Sequence, residues 1–406
     1  MSYPITWIRA QYPALAHATV FLDNAAGAQV PQQVMAAFTE TLTYRNANKG
    51  GAFRESREIT VLKEAVRERV ARFIGAASPD SVVFGPNSTT LCELLAAAWG
   101  AVLRPGDEVI VSELDHHANV DPWRRLASRG VVVKTWPTRG DEARLELADL
   151  EPLLSPRTRI LAMTAASNAL GTLTEVRGAG ERVHAAGGLV MVDAVHYAPH
   201  HLPDVQELGA DMLMFSPYKV FGPHLGVLYL SEAVLSRLPA PRLAFLPDGE
   251  PVAWEPGTQN HEAIAAFGAV FDYLNEAGRE MGLGGEGRAL WAKVFAAFAE
   301  HERGLAERML GGLRELGAEL YGLPGTEGRT ATLSFNLPGR APREVAEALA
   351  AENVAVASGH YYAYELMMHR LGLAERGGAV RASALHYTSE DDLERFLSAL
   401  ARLSPS

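Results

Sequence analysis

A single cysteine, Cys92, occurs among the 406 residues. It excludes an intramolecular disulfide and any metal site built on cysteine, and such usage fits a reducing compartment. Positive charge is also short: 37 basic residues stand against 48 acidic ones, giving a formal net charge of -11. That balance argues against nucleic acid or an anionic membrane surface as the main partner, while leaving room for a local basic pocket around an anion. No uninterrupted apolar stretch approaches the ~20 residues of a membrane-spanning helix. The opening Met-Ser-Tyr-Pro-Ile-Thr-Trp has no basic segment followed by an apolar one, so no signal peptide and a cytoplasmic location are expected. Internal repeats and low-complexity tracts are missing as well.

What remains is an ordinary globular composition, 48% hydrophobic and 21% charged, in a chain too long for one core, so two domains are expected. Short apolar runs at Ser81–Phe84, Glu108–Val111, Val131–Trp136, Ile160–Thr164, Gly188–Asp193, Met212–Phe215 and Val227–Leu230 read as strands. Helical spacing falls ahead of the first of them at Ser56–Ile74 and between the others at Leu91–Trp99, Pro122–Arg129, Leu147–Leu154 and Glu175–Ala186. Val20–Asp23 is expected to be a further strand. Strands alternating with helices imply an α/β fold with a mostly parallel sheet covered on both faces. After Arg237 the texture changes to proline-rich turns, a helix from Glu262 to Ala277, a glycine-rich joint and a long amphipathic helix from Ala289 to Leu316. The segments beyond suggest a small α+β domain. The division expected is 20–280 for the large domain, with 1–19 and 281–406 in the small one.

Chemistry concentrates at two strand ends. Met212–Phe215 is broken by Ser216-Pro217, and Lys219 follows among Tyr218, Val220 and Phe221. A lysine held there loses solvation, which disfavours its ammonium form and makes it a candidate nucleophile for a carbonyl. A lysine whose stem packs while its head reaches water is the plainer reading. Asp193 ends the preceding apolar run, and parallel sheets bind ligands at the carboxyl ends of their strands. Pyridoxal phosphate needs this pair: a lysine to take its aldehyde and an acid to keep its pyridine nitrogen protonated. Asp193 as a helix N-cap is the alternative. The strand, small-residue turn and helix around Gly85-Pro-Asn-Ser-Thr-Thr90 offer N–H groups and hydroxyls to a phosphate, with Ser88 or Thr89 as a plain N-cap the competing reading.

Several landmarks in order carry a resemblance. They are Leu22-Asp-Asn-Ala-Ala26, Asp115-His-His-Ala-Asn119, Ser167-Asn-Ala-Leu-Gly171, Val192-Asp193, Ser216-Pro-Tyr-Lys219, Gly257-Thr-Gln-Asn260 and Arg381-Ala-Ser383. From about Phe21 to about Leu403 the chain resembles the class V, fold-type I pyridoxal-phosphate enzymes, nearest in pattern to the cysteine desulfurase and selenocysteine lyase group. The resemblance implies a homodimer built on a seven-stranded-type sheet. It implies that Lys219 holds the cofactor, Asp193 pairs with its ring nitrogen, and His116 stacks on the ring and moves protons. It assigns Asn168 to the ring hydroxyl and the substrate, and His196 to the glutamine position on the phenolate side. Thr89, Thr90, Ser216 and Tyr218 are placed around the phosphate, with Thr258 reaching it from a second subunit. Arg381 is assigned to a substrate carboxylate, work suited to its planar fork of donors.

The departures are specific. Tyr218 replaces the histidine usual before the lysine, and His196 the usual glutamine. The loop that ends Gly-His-His-Cys in desulfurases reads Gly359-His-Tyr-Tyr362, so Tyr362 stands in place of the sulfur-accepting cysteine, and Ala357 replaces a preceding arginine. The expected function is therefore pyridoxal-phosphate chemistry on an amino acid or related amine without a persulfide intermediate. Elimination, transamination and epimerisation are all open. Desulfuration by another route, or a non-catalytic binding protein, are the rivals. No metal is expected.

Overall fold

The computed structural model describes residues 3–245 and 251–403. Seven strands form the main sheet: β1 (Val82–Gly85), β2 (Glu108–Ser112), β3 (Val132–Trp136), β4 (Thr158–Thr164), β5 (Leu189–Asp193), β6 (Met212–Phe215) and β7 (Gly226–Leu230), in the order β1-β7-β6-β5-β4-β2-β3. All neighbours are parallel except those of β7, which runs antiparallel to β1 and β6. The apolar runs are continuous because both faces are buried. Alternate side chains serve opposite layers, so Leu161, Met163, Val192 and Phe215 join one core while Ile160, Ala162, Met191 and Met214 join the other.

The longer helices are α1 (Gln32–Tyr44), α2 (Arg54–Phe73), α3 (Ser88–Val102), α4 (Val176–Ala185), α5 (His261–Glu280), α6 (Gly287–Glu315), α7 (Pro342–Ala351) and α8 (Glu390–Ala401). α3 covers one face of the sheet through Leu91, Leu95 and Trp99. α2, α4, α5 and the start of α6 cover the other, with Phe73, Val183, Phe267 and Trp291 in one cluster. Among the described residues no helix is long and apolar enough to cross a membrane.

A second sheet is antiparallel: β8 (Glu319–Tyr321), β9 (Thr332–Asn336), β10 (Ala357–Gly359) and β11 (Ala379–Ser383), in the order β8-β9-β11-β10. Its own core takes Leu333, Phe335, Val380, Leu349 and Phe396, together with Leu310 from the far end of α6. The N-terminal residues Ile8 and Tyr12 pack into the core of the large sheet, while Tyr3 donates to the His386 carbonyl beyond β11 at 2.8 Å.

Three expected elements differ. The helix expected over Leu147–Leu154 stops at Leu150 and continues as a 3-10 turn over Glu151–Leu153, because Pro152 lacks the N–H and crowds the preceding turn. The helix expected over Pro122–Arg129 is α-helical only at Asp121–Arg124 and then tightens to a 3-10 turn ending at Gly130. The strand expected over Val20–Asp23 is just Val20–Phe21, paired in parallel with Val354–Ala355. This small pairing delivers Asp23 to the edge of β11, where it bridges Ser383.

The loop after β4 seats the two sheets on each other. Ser334 Oγ donates to the Ala169 carbonyl at 2.7 Å, Arg329 Nη2 to the Leu170 carbonyl at 2.9 Å, and the Thr330 N–H to the Gly171 carbonyl at 2.9 Å. Gly171 has φ +76°, and a Cβ there would stand 2.6 Å from the Thr332 carbonyl. Only glycine fits both the conformation and the approach.

Candidate active site

β4, β5 and β6 end side by side, with Thr164 opposite Asp193 and Asp193 opposite Met214. A cavity of about 500 Å³ opens at these ends, and Asp193, His116, Asn168, Ser216 and Lys219 all line it. A second cavity of about 440 Å³ adjoins it; Lys219, His116, Asn168 and Tyr362 line both, and Arg381 lines the second.

Lys219 ends the 3-10 turn Pro217–Lys219 directly after β6 and is 6% exposed. Its pKa is lowered to about 8 by burial and then by the Arg381 guanidinium, against the pull of Asp193 and Asp23. At pH 7 about a tenth is therefore the free amine, far more than for an ordinary lysine. Asp193 is buried at the tip of β5, where its Oδ1 accepts the Val195 N–H at 2.8 Å. Burial raises its pKa to about 6, so it carries its charge at neutral pH. No helix of any length starts behind it, which removes the N-cap reading.

His116 lies on the loop after β2. Asp115, fully enclosed, anchors this loop by accepting from the Ser112 hydroxyl, from Asn119 Nδ2 at 2.8 Å and from the Thr164 N–H at 2.9 Å. His116 Nδ1 accepts the Ala118 N–H at 3.0 Å. The neutral ring therefore carries its proton on Nε2. Burial, with Lys219 next in weight, pushes the pKa of His116 down to about 3, so the imidazole is neutral across the physiological range.

On the opposite side, Ser216 and Ser88 share a hydroxyl hydrogen bond of 2.7 Å at the N-terminus of α3. The cap itself is neither Ser88 nor Thr89, as the sequence reading allowed, but Asn87, whose side chain accepts the Thr90 N–H at 2.8 Å. Ser88, released from capping, lines the cavity with its hydroxyl bonded to that of Ser216. Thr89 lines the cavity too, whereas Thr90 is exposed and does not. Tyr218 lines both cavities and stacks on His224 at 5.0 Å. Thr258 is exposed on a separate cavity of about 370 Å³, shared with Lys49, Glu255 and His261, and does not reach Lys219 within this chain.

The small sheet supplies the remaining wall. Asn168 Nδ2 donates to the Tyr361 carbonyl at 2.7 Å, and the Asn168 carbonyl accepts Arg381 Nη1 at 2.9 Å. His196 is buried; its Nε2 sits 3.2 Å from Thr330 Oγ1, while its Nδ1 has no partner among the described residues. Tyr361 and Tyr362 both hold left-handed backbone, at φ +52° and +60°, which costs roughly 1–3 kcal/mol for each residue. Hydrogen bonds to both carbonyls, from Asn168 and from the His117 N–H, keep them there. Tyr362 is 68% exposed and lies against the His116 ring at 5.1 Å and 30°.

The residues fit pyridoxal phosphate. An enclosed amine and an enclosed carboxylate stand at adjacent strand ends, the neutral imidazole lines the same cavity, and hydroxyls with free N–H groups stand at a 15-residue helix N-terminus suited to a dianion. The unpartnered His196 Nδ1 is a buried polar atom without its mate, as expected where a ligand group belongs.

The family pattern described as "Aminotransferase class-V" matches residues 20–396. The chain is 33% identical to the aminotransferase-like protein FGM3 of Gibberella zeae, over 98% of both chains. It is equally 33% identical to a cysteine desulfurase of Pectobacterium atrosepticum, over 99% of this chain and 98% of that one. Among solved structures, the apo cysteine desulfurase of Thermococcus onnurineus superposes with a TM-score of 0.90 at 29% identity, covering 100% of this chain and 98% of that one. The cysteine desulfurase CsdA of Escherichia coli gives 0.84 at 28%, covering 99% and 98%.

Proposed function

The chain belongs to the class-V aminotransferase family of pyridoxal-phosphate-dependent enzymes, and on that premise we propose that it acts on the amine of an amino acid or a related compound without forming a persulfide on the protein. The observation that carries this reading is the Lys219 amine and the Asp193 carboxylate, both enclosed at neighbouring strand ends in the cavity lined by His116.

Bound pyridoxal phosphate supplies an aldehyde that takes up amines and a ring that draws electrons from the carbon beside them. Lys219 would anchor that aldehyde, and its buried Nζ would be the group placed to hold or move a proton beside the substrate carbon. Asp193, ionised above pH about 6, holds the proton on the ring nitrogen. His116 presents a neutral face, and its Nε2 proton is the one it has to give. Ser88, Ser216 and the first N–H groups of α3 fix the phosphate end. Two copies pair so that Thr258 of one completes the phosphate side of the other; a fully active monomer would contradict that pairing.

Desulfuration through a protein thiol requires a thiolate within reach of the substrate. Tyr362 is a phenol, with a reference pKa of about 10, and accepts no sulfane sulfur. Cys92 is fully buried in α3, its Sγ 3.8 Å from Asn119 Oδ1, and burial raises its pKa well above that of a free thiol. It lines neither cavity. Incubation with L-cysteine should leave no persulfide on the enzyme, and Cys92→Ala should be nearly silent. The relatives named cysteine desulfurase favour one second reading, sulfur passed directly to an external thiol, which the same incubation would reveal as alanine released without protein persulfide. A persulfide on Cys92 with alanine in matching amounts would overturn the main reading.

The direct test follows the visible spectrum of the yellow holoenzyme while a panel of amino acids and amines is added. Borohydride reduction and peptide mass mapping then locate the cofactor. It should be found on the peptide containing Lys219; attachment elsewhere, or a spectrum unmoved by every amine, would refute the assignment.

A further inference from the structure

The guanidinium of Arg381 is already engaged before any substrate arrives. Arg381 is 3% exposed; its Nη1 donates to the Asn168 carbonyl and its Nη2 to Asp23 Oδ1, each at 2.9 Å. The ring of Tyr361 lies over it at 4.4 Å, and the Tyr361 hydroxyl is tied to the Ala379 carbonyl. Nε is buried and has no hydrogen-bond partner among the described residues. We propose that Asp23 is a resident carboxylate which the substrate's own carboxylate displaces from Arg381, so that Asp23 sets the threshold an amine must pass to be accepted. This rests on the reading of the protein as an enzyme of amines and amino acids.

Three observations give the exchange its direction. First, the two partners differ in mobility. Asn168 and the Tyr361 ring hold the guanidinium plane, and β11 carries its backbone between β9 and β10. The Asp23 backbone is fixed by its bridge to Ser383, but its side chain is 35% exposed. Asp23 can turn into water at little desolvation cost; Arg381 cannot. Second, Asp23 uses only one donor of the guanidinium edge formed by Nε and Nη2. A carboxylate approaching along that edge takes both, gaining the hydrogen bond that Nε now lacks. Third, a buried guanidinium left without a counter-ion beside Lys219 would be costly, so a resident anion keeps the resting site neutralised until the substrate replaces it.

The class of substrate follows. It carries a free carboxylate near its amine; an ester, an amide or a plain amine brings no charge to exchange with Asp23. Asp23 raises the KM of carboxylate-bearing substrates and leaves that of uncharged amines unaffected.

Propanoate, which has the carboxylate and no amine, isolates the step. Calorimetric titration of the holoenzyme should show Asp23→Asn binding propanoate about tenfold more tightly than the wild type, equivalent to about 1.4 kcal/mol. Its melting temperature should rise more on adding propanoate, and propanamide should show neither effect. The KM of any carboxylate-bearing amino acid that is turned over should fall in the same proportion. Asp23→Ser, which removes the charge with a smaller side chain, should rank the ligands the same way. Equal or weaker propanoate binding by both variants, or no binding by any of the three proteins, would overturn the proposal. A holoenzyme whose spectrum ignores every amine would instead refute the functional reading, with the propanoate ranking still measurable.

Discussion

Lys219→Ala lowers turnover by on the order of 10³-fold or more, the scale expected when one group that moves the reacting proton is removed, and the cofactor can no longer be fixed to the chain by borohydride. The side chain is 6% exposed and, among the described residues, no other lysine lines either cavity, so no neighbouring lysine takes over. The substitution leaves space next to Asp193, and a small primary amine in the buffer should restore part of the rate by acting in the vacated position. The pH dependence has a definite sign. In the cofactor-free protein the pKa of Lys219 is lowered to about 8, by burial first and the nearby Arg381 second. Only the neutral amine attacks an aldehyde. Cofactor uptake should therefore be slow well below pH 8, rise through it and level off above. Uptake that falls with rising pH across this range, or a Lys219→Ala protein retaining more than a tenth of wild-type turnover, would contradict the assignment.

Lys219 and Asp193 were legible because both follow short apolar runs, and in a parallel sheet the end of such a run is a position in space as well as in sequence. His116 was assigned only through the resemblance; its loop leaves β2, two places from β5 in the sheet, which brings it to the same cavity. The partner of Arg381 could not be read this way. Asp23 lies 358 residues away, and what joins them is a two-residue strand paired across the chain, too short to announce itself by periodicity. Ser88 was mistaken for a possible cap because Asn87, Ser88 and Thr89 all have side chains that cap well. The choice of Asn87 depends on the turn geometry after β1. Tyr362 drew attention as a replaced cysteine, yet it is Tyr361 that covers Arg381. Both tyrosines hold left-handed backbone, which no local preference predicts for tyrosine.

Glu255→Ala should be the most destabilising single change in the large sheet's surroundings, by about 3–5 kcal/mol, the cost of leaving buried charge without its partner. Glu255 accepts from the ammonium of Lys63, lies 3.0 Å from Arg67 Nη1, and accepts the Phe84 N–H at 2.9 Å. The Lys63 and Glu255 side chains are each 1% exposed. Burial alone would push the Glu255 carboxyl up, but Arg67 and Lys63 outweigh it and hold the pKa low, so the group is charged. Removing it strands the buried Lys63 ammonium and one N–H of β1, and leaves Arg67 with the exposed Glu64 carboxylate, 3.1 Å from its Nε, as its ion partner. Lys63→Met tests whether charge balance or packing is at stake. It fills similar space and leaves Glu255 paired with Arg67, so it should cost far less than Glu255→Ala although both break the same ion pair. Urea midpoints decide between them, and equal losses in the two variants would refute the charge argument. The consequence reaches the site as well. Glu255 is three residues before Thr258, and anchoring it to α2 and β1 fixes the turn that carries Thr258. Glu255→Gln keeps an acceptor for the Phe84 N–H while removing the charge, and should be intermediate in stability. Its affinity for cofactor should also fall if Thr258 completes the phosphate site of a second copy, because the turn then loses its hold on α2.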